Sequence, residues 1–319
     1  MRVGIVILPD ELWSVASARW RQVEQWGFDH AWTYDHLGWR DLVDGPWFDA
    51  VATLTAAATV TTRIPLGTLV ASPNFRHPVH FARELTTLDD ISAGRVLLGI
   101  GAGGIGFDAA VLGADQLSPR ARADRYAEFV ELLDLLLRCD RVDWQGQYFR
   151  AVDARSTPGC RQQPRIPFVL AANGPRSLAL VARFGAGWVT TGTDFDDLES
   201  WWASVARLAD RCSAAMDAAG RDPDDLRRYL LLDSAPVFSL TSAAFFADAA
   251  ERAAGLGFTD VITHWPRRSS WYAGDERVLA EVATEVLPTL HAASAAAATA
   301  ATASATASAT AGTVAGSGG

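Results

Sequence analysis

The chain has 319 residues, of which 49% are hydrophobic and 20% are charged, and its formal net charge is −9. This composition is typical of a globular protein with a sizeable core, and an acidic chain without basic clusters is not expected to bind nucleic acid. All 28 basic residues are arginines, so Schiff-base catalysis and a lysine-containing phosphate loop are excluded.

The start of the chain and its cysteines indicate the compartment. We interpret the segment MRVGIVILPD as a first core strand, because its apolar run is too short for a signal peptide. The three cysteines form no Cys-x-x-Cys pair, which favours a reducing compartment. No run approaches the roughly 20 apolar residues of a membrane span. We therefore expect a cytoplasmic protein with no membrane partner.

Short β-branched runs alternate with longer amphipathic segments along the chain. Strands are predicted at Val3–Ile7, Ala31–Tyr34, Pro65–Val70, Arg95–Ile100, Phe168–Ala172, Trp188–Thr191, Tyr229–Phe238 and Thr259–His264. Helices are predicted at Val15–Trp26, Asp49–Thr61, Val79–Ile91, Ala123–Arg138, Pro175–Phe184, Asp197–Ala219, Ser242–Leu256 and Glu276–Leu290. Strict alternation implies parallel strands with right-handed crossovers, and eight units fit a (β/α)8 barrel. An open, doubly wound sheet is the alternative.

Two segments interrupt this alternation. RVDWQGQYFRAVDARS, residues 141–156, has a turn at Gly146 between aromatic-rich runs and predicts a small hairpin insertion. Residues 292–319 contain only Ala, Ser, Thr, Gly and Val, and a segment without large apolar side chains cannot offset its ordering entropy. We predict a barrel domain over residues 1–291 and a disordered, low-complexity tail over residues 292–319.

The stretch LLGIGAGGIGF, residues 97–107, contains the G-x-G-x-x-G spacing twice. A dinucleotide-binding unit would place these glycines after the first strand, with an acidic residue ending the next strand. Here they follow the fourth strand and precede a helix, so that interpretation fails. In a barrel this long loop lies at the carboxyl ends of the strands, where active sites are built. We predict that it faces a cofactor; a flexible loop with turn glycines is the alternative.

Other strand ends carry ionisable residues. TYDHLGW follows the second strand, and we predict that His36 exchanges a proton and that the adjacent Asp35 orients it; a solvated loop or a structural hydrogen bond is the alternative. Trp39 offers an indole surface to a planar ligand. Arg76, after the third strand, suits an anionic group, with a surface ion pair as the alternative. His77 and His80 have metal-like spacing but no nearby carboxylate or thiol, so no metal site is predicted.

The segment LAANGPRS follows the fifth strand and opens a helix at Pro175. Free amides at a helix N-terminus, together with the helix dipole, favour a phosphate there. We predict that Asn173, Gly174 and Ser177 belong to this anion site; an ordinary capped helix is the alternative.

Three segments together resemble the bacterial luciferase-like superfamily of flavin- and deazaflavin-dependent oxidoreductases: GFDHAWTYDHL, LGTLVASPNFRHPVHFARELTTLDDISAGRVLLGIGAGG and PFVLAANGPRSLALVARFGAGWV. The resemblance covers about residues 1–290. It implies a (β/α)8 barrel that binds coenzyme F420, or alternatively FMN, at its mouth. It also implies a cis peptide at Leu69–Val70 in a bulge against the cofactor.

The same resemblance assigns further positions. Asp35 and His36 match a pair beside the deazaflavin ring, Ala102 and Gly103 match the glycine-rich loop that contacts the cofactor, and the phosphate loop matches Ala172, Asn173 and Gly174. Sugar-phosphate dehydrogenases of the group carry a glutamate where this chain has Gly104, so sugar-phosphate oxidation is doubtful.

The resemblance implies hydride transfer between the bound cofactor and a small organic substrate, in a protein that is often a homodimer. An FMN-dependent monooxygenase that incorporates molecular oxygen is one alternative. A non-catalytic barrel that only binds the cofactor is another.

Overall fold

Eight parallel strands form a closed barrel in a computed structural model that describes residues 1–296. The barrel strands are β1 (Arg2–Val6), β2 (His30–Thr33), β3 (Leu66–Ala71), β4 (Val96–Ile100), β7 (Phe168–Ala171), β8 (Gly187–Thr190), β9 (Arg227–Leu231) and β10 (Asp260–His264). Strand β1 pairs with β2 on one side and with β10 on the other. The predicted barrel is therefore confirmed and the open sheet is excluded.

Helices lie between the strands: α1 (Trp13–Gln25), α2 (Ala50–Val60), α3 (Pro78–Ile91), α4 (Phe107–Ala110), α5 (Pro119–Arg138), α6 (Pro175–Phe184), α7 (Leu198–Ala218), α8 (Ala243–Gly255) and α9 (Glu276–Glu281). The predicted hairpin is confirmed as the antiparallel pair β5 (Arg141–Gln145) and β6 (Arg150–Arg155). None of the helices within residues 1–296 is long and apolar enough to cross a membrane.

Large side chains fill the barrel interior because glycines on neighbouring strands leave room for them. Trp32 and His30 are fully buried, and the Trp32 indole donates to His30 Nδ1 at 2.6 Å. A Cβ at Gly67 would lie 2.5 Å from the Trp32 ring, and one at Gly4 would lie 2.0 Å from His30 Nδ1. The glycines therefore permit a packed core below the mouth.

The structure differs from the predicted elements in three places. The strand predicted at Tyr229–Phe238 ends at Leu231, because residues 232–234 turn and the Asp233 carboxylate accepts from Ser239 N–H at 2.9 Å. The short helix α4 was not predicted within the glycine-rich loop. Residues 282–296 continue α9, so the first five residues of the predicted disordered tail are helical. The remainder of that tail lies outside the described residues.

Candidate active site at the barrel mouth

A cavity of about 780 Å³ opens at the carboxyl ends of the strands, within the range of roughly 300–1,000 Å³ usual for small-molecule sites. We call one side the small-residue wall: Leu69, Val70, Ser72, residues 101–104, residues 171–173, Ser177 and residues 189–191, with Phe195 in the loop after β8. We call the other the acid–base wall: Tyr34, His36, Trp39, Arg40, Asp108, Leu231, residues 233–236, Trp271 and Tyr272.

Most of the residues predicted for the site line this cavity. They are His36, Trp39, Leu69, Val70, Ala102, Gly103, Ala172, Asn173 and Ser177. Gly174 adjoins the lining as the N-cap of α6. Asp35 and Arg76 do not line it.

A bulge at the end of β3 shapes the small-residue wall. The Leu69–Val70 peptide is cis, as the resemblance implied, and the pairing register with β4 shifts between Thr68 and Ala71. A Cβ at Gly101 would lie 2.7 Å from Cγ2 of Val70. The glycine therefore allows the loop after β4 to pass close to the bulge.

Polar side chains hold the glycine-rich loop in place. Gly103 has a φ of 76°, and a Cβ there would lie 2.5 Å from Asn74 Oδ1. The Asn74 amide donates to Gly104 O at 3.3 Å, and Arg125 donates to Asn74 Oδ1 at 2.5 Å. The loop thus presents backbone rather than side chains to the cavity.

The start of α6 lies at the edge of the same wall. Gly174 N–H donates to Ser177 Oγ at 3.3 Å, and that hydroxyl donates to Gly174 O at 3.0 Å. Asn173 accepts from Thr190 Oγ1 at 2.7 Å, which fixes its side chain beside β8. Helix N-termini attract anions, and the phosphate site here remains a prediction.

His36 is oriented by Asp108, not by Asp35. The buried Asp108 carboxylate in α4 contacts His36 Nδ1 and accepts from Leu37 N–H at 2.7 Å and Gly38 N–H at 3.3 Å. This contact fixes the imidazole ring, and Nε2 is the ring nitrogen left for the proton exchange that the sequence predicts. Sequence reasoning missed Asp108; the available signal was an acidic residue directly after the glycine run of a mouth loop.

Asp35 and Arg76, both predicted for the site, do not line the cavity and bind each other instead. Asp35 is buried and does not line the cavity, although its neighbours Tyr34 and His36 do. Arg76 binds its carboxylate with two hydrogen bonds of 2.7 and 3.1 Å. Burial raises the pKa of Asp35, and the contact with Arg76 opposes that shift. Arg76 also contacts Asp49 and Glu84, so its charge is satisfied within the protein.

A buried network, also missed from the sequence, supports the acid–base wall. His264 Nδ1 lies 2.8 Å from Asp233 Oδ2, and His264 Nε2 lies 2.8 Å from the Tyr34 hydroxyl. The Tyr34 hydroxyl lies 2.9 Å from that of Tyr272. The side chains of His264 and Asp233 have no exposed area. Tyr34, Tyr272 and Asp233 are among the residues that line the cavity, and His264 is not.

Aromatic rings cover the rim of this wall. The Trp39 ring stacks against Tyr272, with centroids 5.9 Å apart, and contacts Trp271 edge-on at 5.8 Å. The Arg40 guanidinium lies 3.9 Å from the Trp271 centroid and 4.6 Å from that of Trp39. Such faces suit a planar or apolar ligand.

Another cavity, of about 620 Å³, lies beside the loops that follow β1 and β10. Four of its charged side chains form ion pairs: Arg267 contacts Asp10 at 2.9 Å, and Arg19 contacts Glu11 at 2.9 Å. Among residues 1–296, no group of three or more His, Cys, Asp or Glu side chains is arranged to hold a metal ion. The mouth cavity is therefore our candidate active site.

Comparison with known proteins agrees with this geometry. A family model described as luciferase-like monooxygenase matches residues 1–313. The chain belongs to this family. The match confirms the resemblance and extends past residue 290, to residue 313.

Named relatives of this luciferase-like protein include F420-dependent enzymes. F420-dependent hydroxymycolic acid dehydrogenase of Mycobacterium tuberculosis is 33% identical over 230 residues, which span 70% of this chain but only 60% of that protein. F420-dependent glucose-6-phosphate dehydrogenase of Beutenbergia cavernae is 31% identical over 314 residues, covering 84% and 91% of the two chains.

A solved structure shares the luciferase-like fold. Coenzyme F420 dependent tetrahydromethanopterin reductase from Methanopyrus kandleri superposes with a TM-score of 0.72 at 20% identity. The superposition covers 90% of this chain and 99% of that structure. At this identity the likeness concerns the barrel itself.

Proposed function

We propose that this luciferase-like protein is an oxidoreductase that binds coenzyme F420 and transfers a hydride between it and a small organic substrate. The observation that carries the proposal is one cavity whose small-residue wall faces an acid–base wall. The F420-dependent dehydrogenases among its relatives support the same assignment.

The residues of the cavity fit a tricyclic cofactor with a phosphate-bearing tail. Gly101, Ala102 and Gly103 leave space and expose backbone beside the Val70 bulge, so a flat ring can approach closely. The amides at the start of α6, with Ser177, would hold the phosphate. When bound, the cofactor supplies the carbon that accepts or donates the hydride.

The protein's own part in the reaction is to orient the reactants and to move protons. His36 exchanges a proton through Nε2, and Asp108 fixes the ring by its contact with Nδ1. The Trp39 indole, with Trp271, covers the reacting groups on the rim and excludes water. Hydride transfer benefits because the two reactants are held together in a cavity of limited volume.

The test is a fluorescence titration of the purified, cofactor-free protein with F420 and with FMN. We expect F420 to bind at least about tenfold more tightly, a difference of about 1.4 kcal/mol. The Ala102→Phe variant should lose F420 binding, because the added phenyl ring would occupy the part of the cavity beside the small-residue wall. Ala218→Phe, at the exposed end of α7, is the matched control and should bind normally.

Three results would contradict parts of this proposal. Tighter binding of FMN would favour the monooxygenase alternative. Failure of both cofactors to bind would contradict the cofactor assignment. Tight binding of F420 without hydride transfer from any alcohol or to any carbonyl compound, measured by stopped-flow absorbance, would favour the non-catalytic alternative.

A further inference from the structure

Three strand ends on the acid–base wall contribute to a network that the role of His36 does not use. Asp233 lies in the turn after β9, His264 ends β10, and Tyr34 follows β2. Tyr272 lies in the loop after β10 and stacks on His264, with ring centroids 3.5 Å apart and planes inclined by 9°. The network runs from the buried Asp233 carboxylate to the Tyr272 hydroxyl group beside the cavity.

The hydrogen-bond partners of Asp233 fix the proton position on His264. Asp233 Oδ2 accepts from His264 N–H at 2.7 Å and from Thr263 Oγ1 at 3.1 Å, and Oδ1 accepts from Ser239 N–H. A carboxylate surrounded by donors also accepts from His264 Nδ1, which therefore carries a proton. Burial lowers the pKa of His264, although Asp233 opposes the shift. The ring is neutral at rest, and Nε2 is an acceptor.

This tautomer sets the direction of every hydrogen bond that follows. Tyr34 must donate its one hydroxyl proton to His264 Nε2, 2.8 Å away. The Tyr34 oxygen then accepts from the Tyr272 hydroxyl, 2.9 Å away. Since Tyr272 has used its proton, its oxygen offers only lone pairs to a further partner. The network therefore ends as a hydrogen-bond acceptor beside the cavity.

We propose that Tyr272 accepts a hydrogen bond from the hydroxyl group of an alcohol substrate, and that Tyr34, His264 and Asp233 form the relay that takes up its proton. The inference rests on the function proposed above and adds the substrate class. An acceptor at the end of the network matches an alcohol, which must donate its hydroxyl hydrogen, better than a carbonyl compound, which can only accept.

The reaction balances with this relay, while His36 Nε2 would supply the separate proton that the reduced cofactor takes up. The C–H bond of the alcohol breaks, and the hydride leaves with both electrons to the deazaflavin-class oxidant as the C=O bond forms. The hydroxyl proton passes to Tyr272, the Tyr272 proton to Tyr34, and the Tyr34 proton to His264 Nε2. The resulting imidazolium lies against the Asp233 carboxylate, which stabilises its charge. The reverse reaction returns the proton by the same path.

Tyr34 and Tyr272 pass the proton on without remaining ionised. Burial raises the pKa of Tyr34 well above its usual value and that of Tyr272 to about 12. Neither hydroxyl is therefore ionised at neutral pH, and His264 is the group that holds the proton. Stacking of Tyr272 between His264 and Trp39 keeps its oxygen in position.

The direction of the network is tested in the cofactor-free protein by nitrogen NMR of labelled histidines, with His264→Gln used for assignment. We expect a neutral His264 with its proton on Nδ1. Tyr34→Phe should shift the Nε2 resonance, because the donor to that atom is lost. A proton on Nε2, or an unchanged resonance in Tyr34→Phe, would overturn the proposal.

The catalytic role is tested with Tyr272→Phe, which keeps the stacked ring and removes only the hydroxyl. We expect single-turnover reduction of F420 by cyclohexanol to slow about 100-fold, the usual size of acid–base effects, with unchanged F420 affinity. The control is Tyr148→Phe, in the hairpin away from the mouth, which should react at the normal rate.

The outcomes separate this inference from the function on which it rests. Equal rates in the Tyr272→Phe variant and the unmodified protein would refute the relay and leave the proposed function standing. If the unmodified protein binds F420 but takes no hydride from cyclohexanol or other simple alcohols while it reduces carbonyl compounds, the alcohol assignment is wrong. No hydride transfer in either direction contradicts the proposed function itself.

Discussion

The two walls of the mouth are built in different ways. The small-residue wall uses neighbours in sequence, such as residues 101–104 and residues 171–173. The acid–base wall joins residues far apart in the chain: His36 meets Asp108, 72 positions later, and Tyr34 meets His264, 230 positions later. Binding surface is thus encoded locally, whereas the groups that move protons are assembled by closure of the barrel.

This contrast predicts that substitutions on the two walls have different effects on rate and on cofactor affinity. Changes on the acid–base wall should alter the rate and leave cofactor affinity intact. Changes on the small-residue wall should alter affinity and leave the rate at saturation nearly intact. The following variants test that separation, in order of decreasing effect.

The largest effect is expected at the His36–Asp108 pair. His36→Ala should lower turnover by about 10²- to 10⁴-fold, because general acid–base catalysis is lost, and Asp108→Asn should lower it by about 10²-fold. Cofactor affinity, measured by titration, should change little. Asp115→Asn removes an exposed carboxylate of the same loop and is the control. Normal single-turnover rates in His36→Ala would remove this residue from the chemistry.

Substitution of Arg76 should lower the stability of the protein without weakening F420 binding. Arg76→Leu leaves the buried Asp35 carboxylate unpaired, so the free energy of unfolding should fall by about 3–5 kcal/mol, measured by denaturant titration. Arg183→Leu breaks an exposed pair with Glu131 and should cost at most about 1 kcal/mol. If Arg76→Leu instead weakens F420 binding in a fully folded protein, Arg76 belongs to the binding site after all.

The smallest effect is expected at Gly103. Gly103→Ala forces a side chain into a backbone region that costs about 1–2 kcal/mol and towards Asn74, so the loop must shift. We expect F420 affinity to fall about tenfold with little change in turnover at saturation. Gly113→Ala has the same φ of 76° but open space around it, so it controls for backbone strain alone. Equal affinities for the two variants would show that the loop does not contact the cofactor.

Much of the small-residue wall was predictable because its signals are local. The glycine run at residues 101–104 and Pro175 at the start of α6 each occupy a short segment with its own pattern. The bulge at Leu69–Val70 was implied only by the family resemblance. The alternation of strands and helices then placed these segments at one end of a barrel.

The acid–base wall was only partly predictable because its pairs depend on three-dimensional proximity. Adjacency in sequence suggested that Asp35 orients His36, yet neighbouring side chains diverge and the orienting carboxylate comes from α4. Asp233 and His264 had no local pattern that set them apart from ordinary residues at strand ends. Only the register of β9, β10 and β2 around the barrel brings them to Tyr34.

The position of Asp108 has a consequence for fidelity. Asp108 follows Gly103 by five residues in the same loop, so a ligand that displaces the glycine segment also pulls on the carboxylate that aligns His36. We therefore expect a poorly fitting ligand to leave the imidazole misaligned. The site would then discriminate between bound ligands by their rate of reaction as well as by their affinity, because the same loop contacts the ligand and aligns His36.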